Sequence, residues 1–105
     1  MYDIESIRVL YSRYAVEYSN HFRIRMKERN IKFDDVRMAI HSGEIIEQDL
    51  SDIPNPSVLI LGCTRDNRPI HIAVGVADSM LILITAYFPS SAVWYEDNKT
   101  RRAVE

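Results

Sequence analysis

Glycine, cysteine and tryptophan are scarce in this chain of 105 residues, with three, one and one respectively. The glycines, Gly43, Gly62 and Gly75, stand alone, so no glycine-rich loop is available to cradle a nucleotide phosphate. Cys63 cannot close an intramolecular disulfide, and it follows the apolar run Leu59-Ile60-Leu61, which reads as a strand holding a packed thiol. His21, His41 and His71 fall in three separate segments and match no zinc-ligand spacing, so neither metal nor cofactor is expected. Long apolar runs are missing too. Met80 to Ile84 is far shorter than the ~20 residues of a membrane helix, so no membrane partner is expected. Met1-Tyr2-Asp3-Ile4-Glu5 lacks the basic and apolar regions of an export leader, and with the lone thiol this predicts a cytoplasmic protein. Excess positive charge is also absent. The formal net charge is -2, so a polyanionic partner must be argued from a local patch.

What is present is 47% apolar residues, enough for one domain over 1–105. A chain of this length buries roughly 65% of its unfolded surface around one core. Ile4, Ile7, Tyr11 and Tyr14 recur at helical spacing behind Asp3, an N-cap. Ala15 to Tyr18 alternates and reads as an extended connector or a brief edge strand, the connector being preferred. Ser19 or Asn20 caps a second helix to Arg29, and Asn30 is its left-handed stop. A third helix runs from Phe33 to Ser42, with Phe33, Val36 and Ile40 on its apolar face and Gly43 ending it.

From Gly43 the period changes. Glu44 to Gln48, Val58 to Cys63, Ile70 to Val76 and Met80 to Phe88 are Ile, Val and Leu-rich, separated by Pro54-Asn55-Pro56, Asp66-Asn67 and Asp78-Ser79. The expectation is an α+β fold: N-terminal helices packed on a four-stranded antiparallel sheet, then a short C-terminal helix around Ala92 to Asn98 and a solvated basic tail. The expected core is Phe22, Met26, Val36, Ile40, Val58, Ile60, Ile72, Val74, Ile82 and Ile84.

Two groups of residues carry chemistry. His21, Arg25 and Arg29 follow one another at four-residue intervals, so they share a stripe of the second helix. A guanidinium fork beside an imidazole can hold a phosphate and move a proton, whereas a plain solvated face would pair these arginines with Glu28, Asp34 and Asp35. On the third strand His71, Ala73 and Gly75 share a face of small residues. A three-residue turn over Ala77 to Ser79 places Thr85 opposite His71 with Tyr87 diagonal to it, and a two-residue turn sends Tyr87 to the other face. The alternative for His71 is a half-buried strand residue with a backbone partner.

The blocks His21 to Arg29, Gly43 to Glu47, Pro56 to Gly62, Arg68-Pro69-Ile70-His71, Thr85-Ala86-Tyr87 and Trp94 with Asp97 and Arg101 together resemble the prokaryotic family known as domain of unknown function 4258. That family is distantly similar to the RelE and BrnT ribonuclease toxins. The resemblance implies a RelE-like fold and metal-independent RNA cleavage, with His21, His71 and Tyr87 as catalytic candidates and Arg25 and Arg29 on the scissile phosphate. Implied partners are RNA or a protein such as an antitoxin. The competing expectation is a non-enzymatic module, which uses the basic helix, Trp94 and Tyr95 to dock a protein or a second copy in a homo-oligomer, or uses the arginines to bind a small anion.

Overall fold

The computed structural model describes residues 2–103. Helix α1 (Ile4–Ser12) starts where the Asp3 carboxylate accepts from the Ser6 N–H at 2.8 Å. Helix α2 (Asn20–Glu28) starts where Ser19 Oγ accepts from the Phe22 N–H at 3.0 Å. Asn30 follows it at φ 55, the left-handed conformation that ends helices. Helix α3 (Phe33–Ser42) stops at Gly43, and its last carbonyls find a donor on α1: Arg8 donates to the carbonyls of Ile40 at 3.2 Å and Gly43 at 2.9 Å.

Five strands form one mixed sheet of order β1-β5-β4-β3-β2, in place of the expected four antiparallel strands. Strands β2 (Glu44–Asp49), β3 (Ser57–Cys63), β4 (Pro69–Ala77) and β5 (Met80–Tyr87) make the antiparallel meander. The addition is β1 (Val16–Tyr18), parallel to β5. Tyr14 reverses the chain at φ 60, and the three alternating residues then add to the open edge of β5, with Val16 beside Leu81 and Tyr18 beside Leu83. The segment is too short to signal a strand by itself. The edge of β5 supplies the hydrogen bonds.

All three helices cover one face of the sheet. Phe22, Met26, Val36, Ala39 and Ile40 pack there on Val58, Ile60, Ile70, Ile72 and Val74. From β5 this core takes Leu81, Leu83 and Ala86 rather than Ile82 and Ile84, because the turn at Asp78-Ser79 has two residues. A bulge between Ala73 and Val74 in the pairing then restores the alternate face. It skips Ile84 and brings Tyr87 opposite His71. Phe33, expected on the apolar face of α3 with Val36 and Ile40, is 54% exposed at the start of the helix.

The C-terminal segment is not a helix. Asp97 accepts hydrogen bonds from the Lys99 and Thr100 N–H groups, a turn that competes with helix formation. Trp94 and Arg101 form an antiparallel bridge instead. The expected solvated tail is stapled to β2, Arg101 to Glu47 at 2.7 Å and Lys99 to Glu44 at 2.7 Å.

Two stability measurements check this architecture. Leu83→Ala should cost about 2–5 kcal/mol in urea unfolding, as a core truncation does, and Ile84→Ala less than half of that; equal costs would contradict the bulged register. A Cβ on Gly62 would stand 2.1 Å from the Ala39 carbonyl oxygen, so Gly62→Ala must push α3 from β3 and should cost at least ~1–3 kcal/mol.

Candidate functional site

His71 and Tyr87 do converge, on the sheet face away from the helices. Their rings lie 5.2 Å apart at 72°. His71 is fully buried, and its Nε2 lies 2.6 Å from the Asn98 carbonyl oxygen, which can only accept. Nε2 therefore carries the proton, and Nδ1 accepts from the Tyr87 hydroxyl at 3.2 Å. The Trp94 ring closes over the imidazole edge-on at 4.5 Å. Burial pushes the imidazole below its ordinary value of 6.5, against the Asn98 carbonyl, which favours the protonated ring. Burial also raises the Tyr87 hydroxyl. With both nitrogens engaged and no exposed edge, His71 acts as a latch that holds the C-terminal segment on the sheet. Ala73 and Thr85 pair beside it, so Thr85 belongs to the same face.

The other predicted residues lie elsewhere. His21 is exposed on α2, in the helical layer, and the sheet separates that layer from the face that carries His71. Arg25 pairs with Glu28, the outcome expected of a plain solvated face. Arg29 donates to the Ala86 carbonyl at 2.6 Å, which fixes α2 to the end of β5. Trp94 is 2% exposed and packs on its own sheet, so it is not a docking side chain. Arg102 covers Tyr95 at 4.7 Å from the ring centroid, and the tail arginines sit far from the basic helix in the fold, on the His71 side.

A different cluster forms where α3 begins and the β3–β4 hairpin turns. Asp35, nearly buried, accepts from the Lys32 N–H at 3.0 Å, the Arg65 N–H at 3.1 Å and the Arg65 guanidinium at 3.3 Å. Burial acts to raise this carboxyl, and the donors outweigh it, so it is held below 3.8 and stays charged. The hairpin is tight because Asn67 takes φ 61, which lets the Thr64 N–H reach the Arg68 carbonyl at 2.9 Å. The Arg68 guanidinium carbon sits over the Phe88 ring, 3.8 Å from its centroid.

Between these parts opens a cleft of about 320 Å³ lined by Lys32, Arg65, Arg68, Thr64, Asp66 and Phe88, with Asn30 and Asp35 completing its wall. Thr64 donates its hydroxyl to Asp66, and Arg65 neutralises Asp35. Lys32 and Arg68 have no carboxylate partner among the described residues. A guanidinium fixed in plane by an aromatic ring keeps its N–H edges free for an oxyanion. Sequence reasoning missed this cleft. Its signal was two arginines flanking the Asp66-Asn67 turn, and nothing local connects them to residues 32–35.

The profile described as Domain of unknown function (DUF4258) matches residues 18–88, more than half of the chain. The chain belongs to this family. Curated proteins and solved structures give no match, so the comparisons carry the family and not the more distant likeness to RelE and BrnT toxins. The DUF4258 region runs from β1 to the end of β5 and contains every lining residue of the cleft, with His71 and Tyr87. Trp94 and Asn98, which close over His71, lie beyond it. Among the described residues no cluster of His, Cys, Asp or Glu has the geometry of a metal site, and no helix is long and apolar enough to cross a membrane.

The latch makes stability depend on pH. Below 6.5 the unfolded chain takes up a proton at residue 71, and the folded chain takes it up only at lower pH. Stability should therefore fall as pH drops below 6.5 towards the lower folded value, whereas Asp3, Asp35 and Asp97 lose their contribution only as pH falls below 3.8. Urea midpoints at about pH 7.5 and about pH 5.5 should differ for the native chain and much less for His71→Gln. An unchanged difference in His71→Gln would remove His71 as the cause.

Proposed function

We propose that this domain is a recognition module for phosphate groups, and that the ligand sits in the cleft between the start of α3 and the β3–β4 hairpin. The observation that carries the reading is the pair Lys32 and Arg68, two cations beside one cavity without carboxylate partners among the described residues, with Arg68 seated on Phe88. Arg68 supplies a planar fork, Lys32 a mobile point charge from the opposite wall, and Arg65 the N–H groups that Asp35 leaves unused.

Metal-independent RNA cleavage of the RelE or BrnT kind would be chemistry added to such binding. What supports binding alone is the state of the acid–base candidates. A general base must reach its substrate within about 3 Å or through one water. His71 is enclosed with both nitrogens occupied, and His21 stands exposed on the helical layer, across the sheet from His71. A protein partner such as an antitoxin, or a second copy, remains compatible with the same basic surface.

Calorimetric titration with inorganic pyrophosphate at low salt tests the reading. The native chain should bind, and Arg68→Ala should weaken binding about tenfold or more, the usual scale for one charge-assisted hydrogen bond. Arg25→Ala, already paired to Glu28, should bind as the native chain does. Native-like binding by a folded Lys32→Ala/Arg68→Ala double variant would remove the cleft from consideration.

A further inference from the structure

The cleft does not end at Lys32. That residue also lines a second depression of about 370 Å³ with Arg23, Met26, Lys27 and Phe33. Phe33 in turn lines a third, of about 280 Å³, with Tyr14, Tyr18 and Arg37. Lys32 and Phe33 are thus the shared walls of three successive hollows that cross the helical layer from the β3–β4 hairpin to α1.

The charges along this path are asymmetric. Arg37 neutralises Asp34, Arg65 neutralises Asp35, and Arg25 neutralises Glu28. Arg23, Lys27, Lys32 and Arg68 have no carboxylate partner among the described residues. Rings stand among these cations: Phe33 is 54% exposed, Tyr14 is 91% exposed, and Arg23 lies over Tyr18. Exposing a phenylalanine at the start of an amphipathic helix forfeits the burial it would gain in the core, and here the ring forms the divider between two hollows.

Taken with the phosphate-binding reading above, on which it rests, this arrangement leads us to infer that the three hollows form a track for single-stranded nucleic acid. Lys32 and Arg68 hold one phosphate in the cleft, Arg23 and Lys27 follow the backbone beyond it, and an unpaired base stacks on Phe33. Alternating free cations and exposed rings suit a single strand, because every unpaired base offers a π-face and every step a phosphate. A duplex keeps its bases stacked inside and cannot use the rings. An acidic protein segment would use the cations without needing flat rings between them.

Fluorescence anisotropy with a short labelled oligodeoxythymidylate tests the track, since this probe has no secondary structure and no 2′-hydroxyl at which it could be cleaved. Binding should weaken with salt and lose roughly one unit of salt slope for each cation removed from Arg23, Lys27 and Lys32. Phe33→Ala should weaken the oligonucleotide about tenfold, the scale of one lost base stack, with pyrophosphate binding unchanged, and Phe33→Trp should restore it. If pyrophosphate binds but Phe33→Ala and Arg23→Ala/Lys27→Ala leave oligonucleotide binding intact, the track is wrong and the cleft stands. Equal competition by a duplex of the same length would also overturn the single-strand assignment. If neither probe binds, the underlying phosphate reading fails as well.

Discussion

The cleft depends on one buried carboxylate. Asp35 is 7% exposed, a position where an unpaired charge is expensive, and it stays ionised because three N–H donors converge on it. One donor belongs to its own helix start and two belong to Arg65, thirty residues later in the chain. The contact therefore joins the helical layer to the β3–β4 hairpin. Arg68 rides on that hairpin and Lys32 on that helix start, so the spacing of these two cations is set by a carboxylate in the cleft wall that Arg65 neutralises.

Close backbone packing supports the same junction. Gly62 sits directly beneath Ala39, and a Cβ at Gly43 would lie 2.5 Å from the Ala39 carbonyl oxygen and 2.9 Å from that of Leu61. Helix α3 rests on β3 at a distance that only these glycines allow. On the opposite face the same sheet is sealed by His71, Tyr87 and Trp94, with Arg101 over the indole at 4.5 Å and bidentate on Glu47. The domain thus has a structural face and a face carrying free charge, and the histidine that looked most chemical belongs to the structural one.

Local chemistry was legible in the sequence. The caps Asp3 and Ser19, the left-handed Asn30 and the stop at Gly43 all stand where their residue types require. The four antiparallel strands follow from their apolar runs. The misses are non-local. The strand nature of Val16–Tyr18 comes from the open edge of β5, and the pairing of His71 with Tyr87 comes from a bulge at Ile84 that no composition signals. Asp97 diverts the C-terminal segment into a turn, although its sequence is compatible with a helix. The cleft escaped because Lys32 and Arg68 meet only through the Asp35 to Arg65 contact. The sequence stripe of His21, Arg25 and Arg29 drew attention to charge density, and packing had already assigned Arg25 and Arg29 to other partners.

Amide chemical-shift mapping during a pyrophosphate titration tests the central claim most directly, because it locates the ligand without altering any residue. The account predicts shifts concentrated at Lys32, Phe33 and Thr64 to Arg68, saturating together, with His71, Tyr87 and Arg101 still. Shifts confined to the Tyr87 and Arg101 face, or scattered over the surface without saturation, would contradict it.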